Sequence, residues 1–251
     1  RLKDYQGGEI PPGTYLNSMY EVRPLHYAEA GYGFPESGQT VINVTNGKLI
    51  RLLVDDEPFD VRYGKLLSHE RVLDLRAGTL TRIAEWESPA GKRVRVTSKR
   101  LVSFKQRAVA AIEYEVEAVG NPVRLVVQSE LVANEDVPAQ SDDPREAAAM
   151  EEPLEAVDQS STGRGVVLVH RTKRSGLQMA VAMANVVDAA HADAHNAQSG
   201  PIATETHVEA DLARGIVQRV IHAGALAAGA ERPALPGQHD GAHRVVLGDA
   251  F

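Results

Sequence analysis

The sequence predicts an all-β fold built as an antiparallel β-sandwich, and three observations predict it. Apolar and polar residues alternate with period two over most of residues 40–187. Turn signals rich in Gly, Pro, Asn and Asp recur about every ten residues, and no helical pattern separates the alternating runs. A chain of 251 residues with 43% apolar residues can bury a core without metals or cross-links.

The elements follow in chain order. Val41-Ile42-Asn43-Val44 opens the alternation, and Thr45-Asn46-Gly47 reads as a turn before Lys48–Val54, where Ile50, Leu52 and Val54 share a face. Asp55-Asp56-Glu57-Pro58 is a second turn, since Asp starts turns and Pro cannot donate to a central ladder. Glu70–Arg76 and Thr79–Trp86 form a hairpin around Ala77-Gly78, with the glycine supplying positive φ. Ser88-Pro89-Ala90-Gly91 is the next turn, followed by strands at Lys92–Phe104, Arg107–Glu117 and Val123–Leu131. In the last of these Val123, Leu125, Val127, Ser129 and Leu131 point inward. Residues 136–161 break the pattern with an acidic, Ala-rich stretch in which Asp143 as N-cap and Pro144 at the first position predict a short surface helix over 143–150. A final hairpin joins Val166–His170 to Leu177–Met183, with Met179 and Met183 as core filling. Beyond residue 188 Ala, Gly and His rise and branched aliphatics thin out, so residues 188–251 are expected as an irregular tail. Within it, Val208, Leu212, Ile216 and Val220 fit a helix while Gly215–Val220 fits a strand equally well.

Charge and composition exclude several function classes. Lys and Arg number 27 against 34 Asp and Glu, a net charge of −7, which leaves no electrostatic footprint for nucleic acid. The local basic run Arg93, Arg95, Lys99, Arg100 and Lys105 alternates with Val94 and Val96, and the next run sets Glu113, Glu115 and Glu117 against Ile112, Tyr114 and Val116. If those strands are neighbours, the two charged faces form cross-strand ion pairs, each contributing about 0.2–1 kcal/mol. There is no cysteine, hence no disulfide, thiolate nucleophile or Cys-based zinc site. No run reaches the roughly 18 apolar residues of a spanning helix, and the first residues lack a signal-peptide core. The expectation is a cytoplasmic protein with no cofactor, no metal and no membrane partner.

Aromatics make up 5% of the chain, yet half of them fall before residue 35, interleaved with Gly13, Pro24, Gly31, Gly33 and Pro35. Tyrosine combines apolar area with a hydroxyl, so this opening segment suits a loop closing the end of the sandwich, a sugar-facing loop or a protein interface. Tyr15, Asn17, Tyr20, Tyr27 and Tyr32 are its candidate substrate-binding residues. Catalytic signals are weak. Asp55-Asp56-Glu57, Asp142-Asp143 and Glu151-Glu152 pair carboxylates, but in turns or on a helix surface rather than across a cleft. His191, Asp193 and His195 fit no established zinc spacing and sit among alanines that predict a mobile loop. Ser160 to Gly165 precedes a strand, not the helix that a phosphate-cradling loop requires. Asn43-Val44-Thr45 matches a glycosylation acceptor but reads as a turn.

Six blocks taken in order resemble the N-terminal domain of glycoside hydrolase family 65: Pro12–Glu21, Gln39–Val44, Ile50–Phe59, His69–Leu80, Arg100–Phe104 and Gln128–Glu135. The resemblance spans residues 11–187, assigns 1–187 to that domain with its opening strands missing, and leaves 188–251 as a divergent tail of the kind a shifted reading frame produces. It implies a galactose-mutarotase-like supersandwich, joined in the full-length maltose, trehalose and kojibiose phosphorylases and related α-glucoside hydrolases to a helical barrel that holds the general acid and the phosphate site. It further implies that this domain carries no catalytic residue, shapes the active-site entrance and takes part in a homodimer interface. The alternatives are a stand-alone carbohydrate-binding module and an oligomerisation domain.

Overall fold

The computed structural model describes residues 13–24, 33, 36–135, 152–162, 165–188, 192–199, 203–212 and 217–230, the last three segments as backbone. Among these residues every regular element is a strand. The helix expected at 143–150 lies outside them. No helix among the described residues is long and apolar enough to cross a membrane.

A short antiparallel pair, β1 (Tyr20–Pro24) and β2 (Ser37–Val41), opens the chain. Then come β3 (Asn46–Val54), β4 (Glu57–Pro58), β5 (Lys65–Asp74), β6 (Thr79–Glu87), β7 (Arg93–Val102), β8 (Val109–Ala118) and β9 (Val123–Val132). The second half holds β10 (Leu154–Thr162), β11 (Gly165–Thr172), β12 (Leu177–Asp188), β13 (Ala192–Ser199), β14 (Ala203–Leu212) and β15 (Val217–Ala230). Eight strands form one sheet in the order β10-β11-β12-β15-β8-β7-β6-β5, and five form another in the order β13-β14-β9-β3-β4. Every strand pairing is antiparallel.

The core lies between the two sheets in two clusters. One packs Trp86, Val94, Val96, Tyr114, Val116 and Ala118 of the large sheet against Leu52, Val54, Val123, Leu125 and Val127 of the small one. The other packs Val166, Leu168, Met179, Val181 and Met183 against Leu131 and Ala133, with Met19, Ile42 and Val44 closing the end. The inward residues expected in β9 are all buried, and the two methionines fill core. Trp86 has no exposed surface; its indole N–H donates to the carbonyls of Tyr63 (2.7 Å) and Asp60 (3.1 Å), and Phe59 meets it edge-on at 5.4 Å. Gly64 makes that packing fit: its φ is +81°, and a Cβ there would stand 2.6 Å from the Glu87 carbonyl oxygen and 2.8 Å from the Trp86 ring.

Turn chemistry is largely as the sequence implies. Asp55 and Asp56 both have positive φ (47° and 71°), as a two-residue hairpin turn with right-handed strand twist requires. Gly78 turns β5 into β6 at φ +66°. Four features differ from expectation. Asn46-Gly47 is not a turn: β3 begins there, in an irregularity between Asn46 and Leu49, because the Asn46 side chain accepts from the Lys48 amide (2.9 Å) and donates to Glu135 (2.9 Å). Leu154–Thr162, read as part of a break, is the edge strand β10; of residues 154–160 only Leu154 is buried, and a register shift falls between Ala156 and Asp158, so alternation had little to show. Asp193 and His195, expected in a loop, lie in β13, and His191 lies outside the described residues. The stretch beyond residue 188, expected as an irregular tail with a helix or strand undecided, holds the three strands β13, β14 and β15, and β15 runs between β12 and β8 inside the large sheet.

Candidate functional site

Residues 13–24 of the opening segment are anchored by backbone and polar side chains rather than by the side chains of Tyr15 and Tyr20. The Val44 amide donates to the Thr14 carbonyl at 2.8 Å, the Thr14 amide donates to Asn43 Oδ1 at 2.6 Å, and Lys48 Nζ donates to the Gly13 carbonyl at 2.8 Å and to the Thr14 hydroxyl. A turn at Asn17-Ser18, with Ser18 at φ +69°, is closed by the Met19 amide on the Leu16 carbonyl at 3.2 Å. The turn drives Met19 into the second core cluster while leaving Asn17 exposed. Tyr15 is 55% exposed, its ring lying so close over Gly13 that a Cβ there would approach it to 2.6 Å. Tyr20 is half-buried at the start of β1, and its carbonyl accepts from Ser175 Oγ at 2.6 Å. Of the five residues singled out in the sequence, Tyr15 and Asn17 therefore share one exposed turn, Tyr20 is folded in beside it, and Tyr27 and Tyr32 lie outside the described residues.

Glu21 pins this segment to the β11–β12 turn. Only 2% exposed, its Oε1 accepts the Ser175 amide (2.7 Å) and its own neighbour's amide at Val22 (2.7 Å), while Oε2 accepts the Arg174 amide (2.9 Å). A carboxylate so buried is tolerated because its oxygens meet fixed donors. A second buried link crosses the core: Thr45 Oγ1 and His170 Nδ1 lie 3.0 Å apart, both with no exposed surface.

The carboxylates weighed as catalytic pairs hold the scaffold together. Asp55 accepts the Arg124 amide at 2.7 Å and pairs with Lys92 at 3.1 Å. Burial pushes its carboxyl upward, but the Arg124 hydrogen bond and Lys92 outweigh that and hold it below the usual carboxylate range. Asp56 pairs with the Arg124 guanidinium, and Glu57 accepts the Ala90 amide at 3.3 Å. Glu152 reaches Lys173 at 3.6 Å; Asp142, Asp143 and Glu151 lie outside the described residues. Asn43 is occupied by Thr14, and of the Ser160 to Gly165 run Ser160–Thr162 end β10 while Gly165 opens β11. The predicted pairing of charged faces between β7 and β8 is present: Arg95 lies opposite Glu117 and bonds it at 2.8 Å, and Glu85 of β6 joins both Arg93 (2.7 Å) and Arg95 (3.3 Å).

Sequence reasoning missed a cationic group on the opposite, inward face. In register, Arg71 of β5 lies beside Arg82 of β6, and Arg100 of β7 lies one diagonal step from Arg82. The signal was available in the parity of the strands: Trp86, Ala84 and Arg82 share a face, as do Val94, Val96, Ser98 and Arg100, so the buried alternation runs directly into arginine.

The architecture is thus that of an all-antiparallel β-sandwich domain of two large sheets. A family model described as "Glycosyl hydrolase family 65, N-terminal domain" matches residues 3–231, and the chain belongs to that family. The match continues past residue 188 through β15. An uncharacterized glycosyl hydrolase of Mycobacterium tuberculosis is 61% identical over 206 residues, which are 82% of this chain and 25% of that protein. The alpha,alpha-trehalose phosphorylase of Thermoanaerobacter brockii is 38% identical over 176 residues, 70% of this chain and 23% of the phosphorylase. Among solved structures, a putative kojibiose phosphorylase from human microbiome superposes with a TM-score of 0.74 at 18% identity, over 88% of this chain and 27% of the other, a likeness of fold. The chain spans about a quarter of the length of the curated relatives it matches.

Proposed function

We propose that this chain serves as the non-catalytic N-terminal domain of an α-glucoside phosphorylase or hydrolase of carbohydrate metabolism, shaping the entrance to an active site borne elsewhere and contributing to a homodimer interface. The observation that carries this reading is the reach of the family likeness. It runs through 70% of this chain but 23% of the trehalose phosphorylase, so the chain corresponds to one portion of a much longer enzyme. The engagement of Glu21, Asp55, Asp56 and Glu130 by amides, lysine and arginines supports a scaffold role for its acidic residues. Tyr15, Asn17 and Tyr20, with Tyr27 and Tyr32, are the residues through which the domain would meet an α-glucoside or a barrel domain, working in the cytoplasm without cofactor or metal.

The test is to express the 251-residue chain together with the remaining length of a family 65 phosphorylase as a separate polypeptide and to assay phosphorolysis. The expected result is a complex whose activity exceeds that of either piece, with none in this chain alone. Turnover by this chain alone, or no complex, would overturn the proposal. The exposure of Tyr15 and Asn17 favours a second reading, a stand-alone sugar-binding module. Calorimetric titration with maltose, trehalose and kojibiose separates the two: saturable heat abolished by Tyr15→Ala selects the module, and no heat selects the scaffold.

A further inference from the structure

The inward face of the large sheet carries a second polar feature, distinct from the tyrosine segment. Across β5, β6, β7 and β8 the register lines up Leu66, Trp86, Val94 and Ala118 in one row, His69, Ala84, Val96 and Val116 in the next, and Arg71, Arg82, Ser98 and Tyr114 in the third. Arg100 follows in the fourth row beside Leu80. The first two rows are buried on β6, β7 and β8, and burial continues into the third and fourth rows at Ser98, Tyr114 and Ile112, so the arginines lie at the margin of the core towards β5. Arg82 and Arg100 are half-buried, and Arg71 is exposed.

Three cations in this arrangement oppose one another. Arg71 and Arg82 are direct cross-strand neighbours, a placement that is destabilising for like charges, and Arg100 stands on the diagonal at roughly 7–8 Å. Burial, and then Arg82 and Arg71, lower the Arg100 guanidinium's affinity for its proton. Lys48 lies within electrostatic reach of Arg100, but Glu135 acts on it more strongly and offsets its charge. Among the described residues no carboxylate forms an ion pair with Arg71, Arg82 or Arg100, in contrast to the outer face, where Arg93 and Arg95 are matched by Glu85, Glu87 and Glu117. Among the described residues the polar side-chain partner of Arg82 is His69, whose Nε2 accepts from Arg82 Nε at 3.1 Å, so the ring steers the guanidinium without neutralising it.

We propose that Arg71, Arg82 and Arg100 form a binding site for a phosphate-class oxyanion, either free inorganic phosphate or the phosphate group of a phosphorylated sugar. Guanidinium groups present planar forks that match such oxygens bidentately. Three of them on adjacent strands, with side chains long enough to converge, suit a multiply charged tetrahedral anion better than a single carboxylate. Tyr114, 7% exposed, shares the third row with Arg82 and Ser98, and Arg82 and Arg100 both act on its hydroxyl electrostatically. The site does not depend on the enzyme assignment, and its failure would leave that assignment standing.

Calorimetry and thermal unfolding of the full 251-residue chain test it, with inorganic phosphate, glucose 6-phosphate and chloride compared at equal ionic strength. Phosphate is expected to bind and raise Tm where chloride does not. Arg82→Gln is expected to weaken phosphate binding at least tenfold, while Arg171→Gln, on an outer-sheet ion pair, leaves it unchanged. Because it relieves like-charge repulsion, Arg82→Gln should also unfold at a higher temperature than the wild type in phosphate-free buffer, and should lose the phosphate-induced rise. If that variant does not fold, Arg71→Gln at the exposed position provides the same readout. Tighter binding of glucose 6-phosphate than of phosphate assigns the group to a sugar phosphate; the reverse assigns it to the free ion. Phosphate indistinguishable from chloride, or binding insensitive to both substitutions, overturns the proposal. So does an Arg82-dependent complex with a glutamate-rich peptide that phosphate fails to displace, which would make the face a protein-docking surface.

Discussion

Glu21 shows how a single side chain fixes the opening segment. Its carboxylate answers three backbone amides on two parts of the chain that lie more than 150 positions apart. Glu21→Gln replaces an oxygen by an N–H₂ group facing amide donors, so a buried donor loses its partner at a cost of about 2–3 kcal/mol. In a chain of this length that lowers Tm by roughly 5–10 °C, measurable by calorimetry, and a change under 1 °C would refute the account. Asp60 carries a pH dependence. Hydrogen bonds from the Arg62 side chain, then from its amide, hold its carboxyl down to about 2. A carboxylate with a depressed folded-state value contributes stability that is complete above its unfolded value and is lost as pH falls through the folded one, here between about pH 4 and pH 2. Arg62→Ala should move the Asp60 midpoint upward toward the ordinary carboxylate range in a carbon-detected NMR titration, with no change expected at neutral pH.

At the scale of the element, the β6-β7-β8 ribbon separates its two faces by chemistry. The outer face is a lattice of exposed and half-exposed ion pairs; the inner face is core that gives way to arginine. Arg95 and Glu117 remain 43% and 31% exposed, so water screens them and a double-mutant cycle should return a coupling of about 0.2–1 kcal/mol that shrinks in 1 M salt. A coupling above 2 kcal/mol would mean that the pair is desolvated. Strand β15 makes the opposite kind of contribution. Ala225 lies between Ala182 of β12 and Val109 of β8, with ladder partners on both sides. Ala225→Pro removes a donor that a central strand needs and leaves its acceptor unpaired, a cost of about 1–3 kcal/mol, read as a fall in the denaturant midpoint. An irregular tail would tolerate the same substitution without effect, so this measurement discriminates the sequence expectation from the observed sheet.

For the molecule as a whole, β15 is also what makes one sheet of two halves. Without it β10-β11-β12 and β8-β7-β6-β5 would be separate sheets. The small sheet is assembled likewise, with β14 returning to pair with β9 from far along the chain. The outermost strands of the large sheet, β5 and β10, are each interrupted by a register shift, and β5 carries Lys65, His69, Glu70 and Arg71, features that discourage further strand addition. How much of this was legible in the sequence depended on whether local pattern carried it. Period two at Val94-Val96, Ile112-Tyr114-Val116 and Val123–Leu131 announced half-buried strands, Asp55-Asp56 and Gly78 announced their turns, and the ordered blocks from Pro12 to Glu135 announced the family. Each is a property of neighbouring residues. The strand state of β15 was not legible, because an Ala- and Gly-rich run has little alternation to show and gains its state from the ladders on either side. Nor was the arginine site, since Arg71, Arg82 and Arg100 are distributed over 30 positions and become neighbours only through register. The sequence by itself determined which residues favour strand and which way each strand faces, since sterics and alternation act locally. Tertiary structure alone decided which strands lie side by side, because that choice rests on hydrogen bonds and core contacts between segments that are remote along the chain.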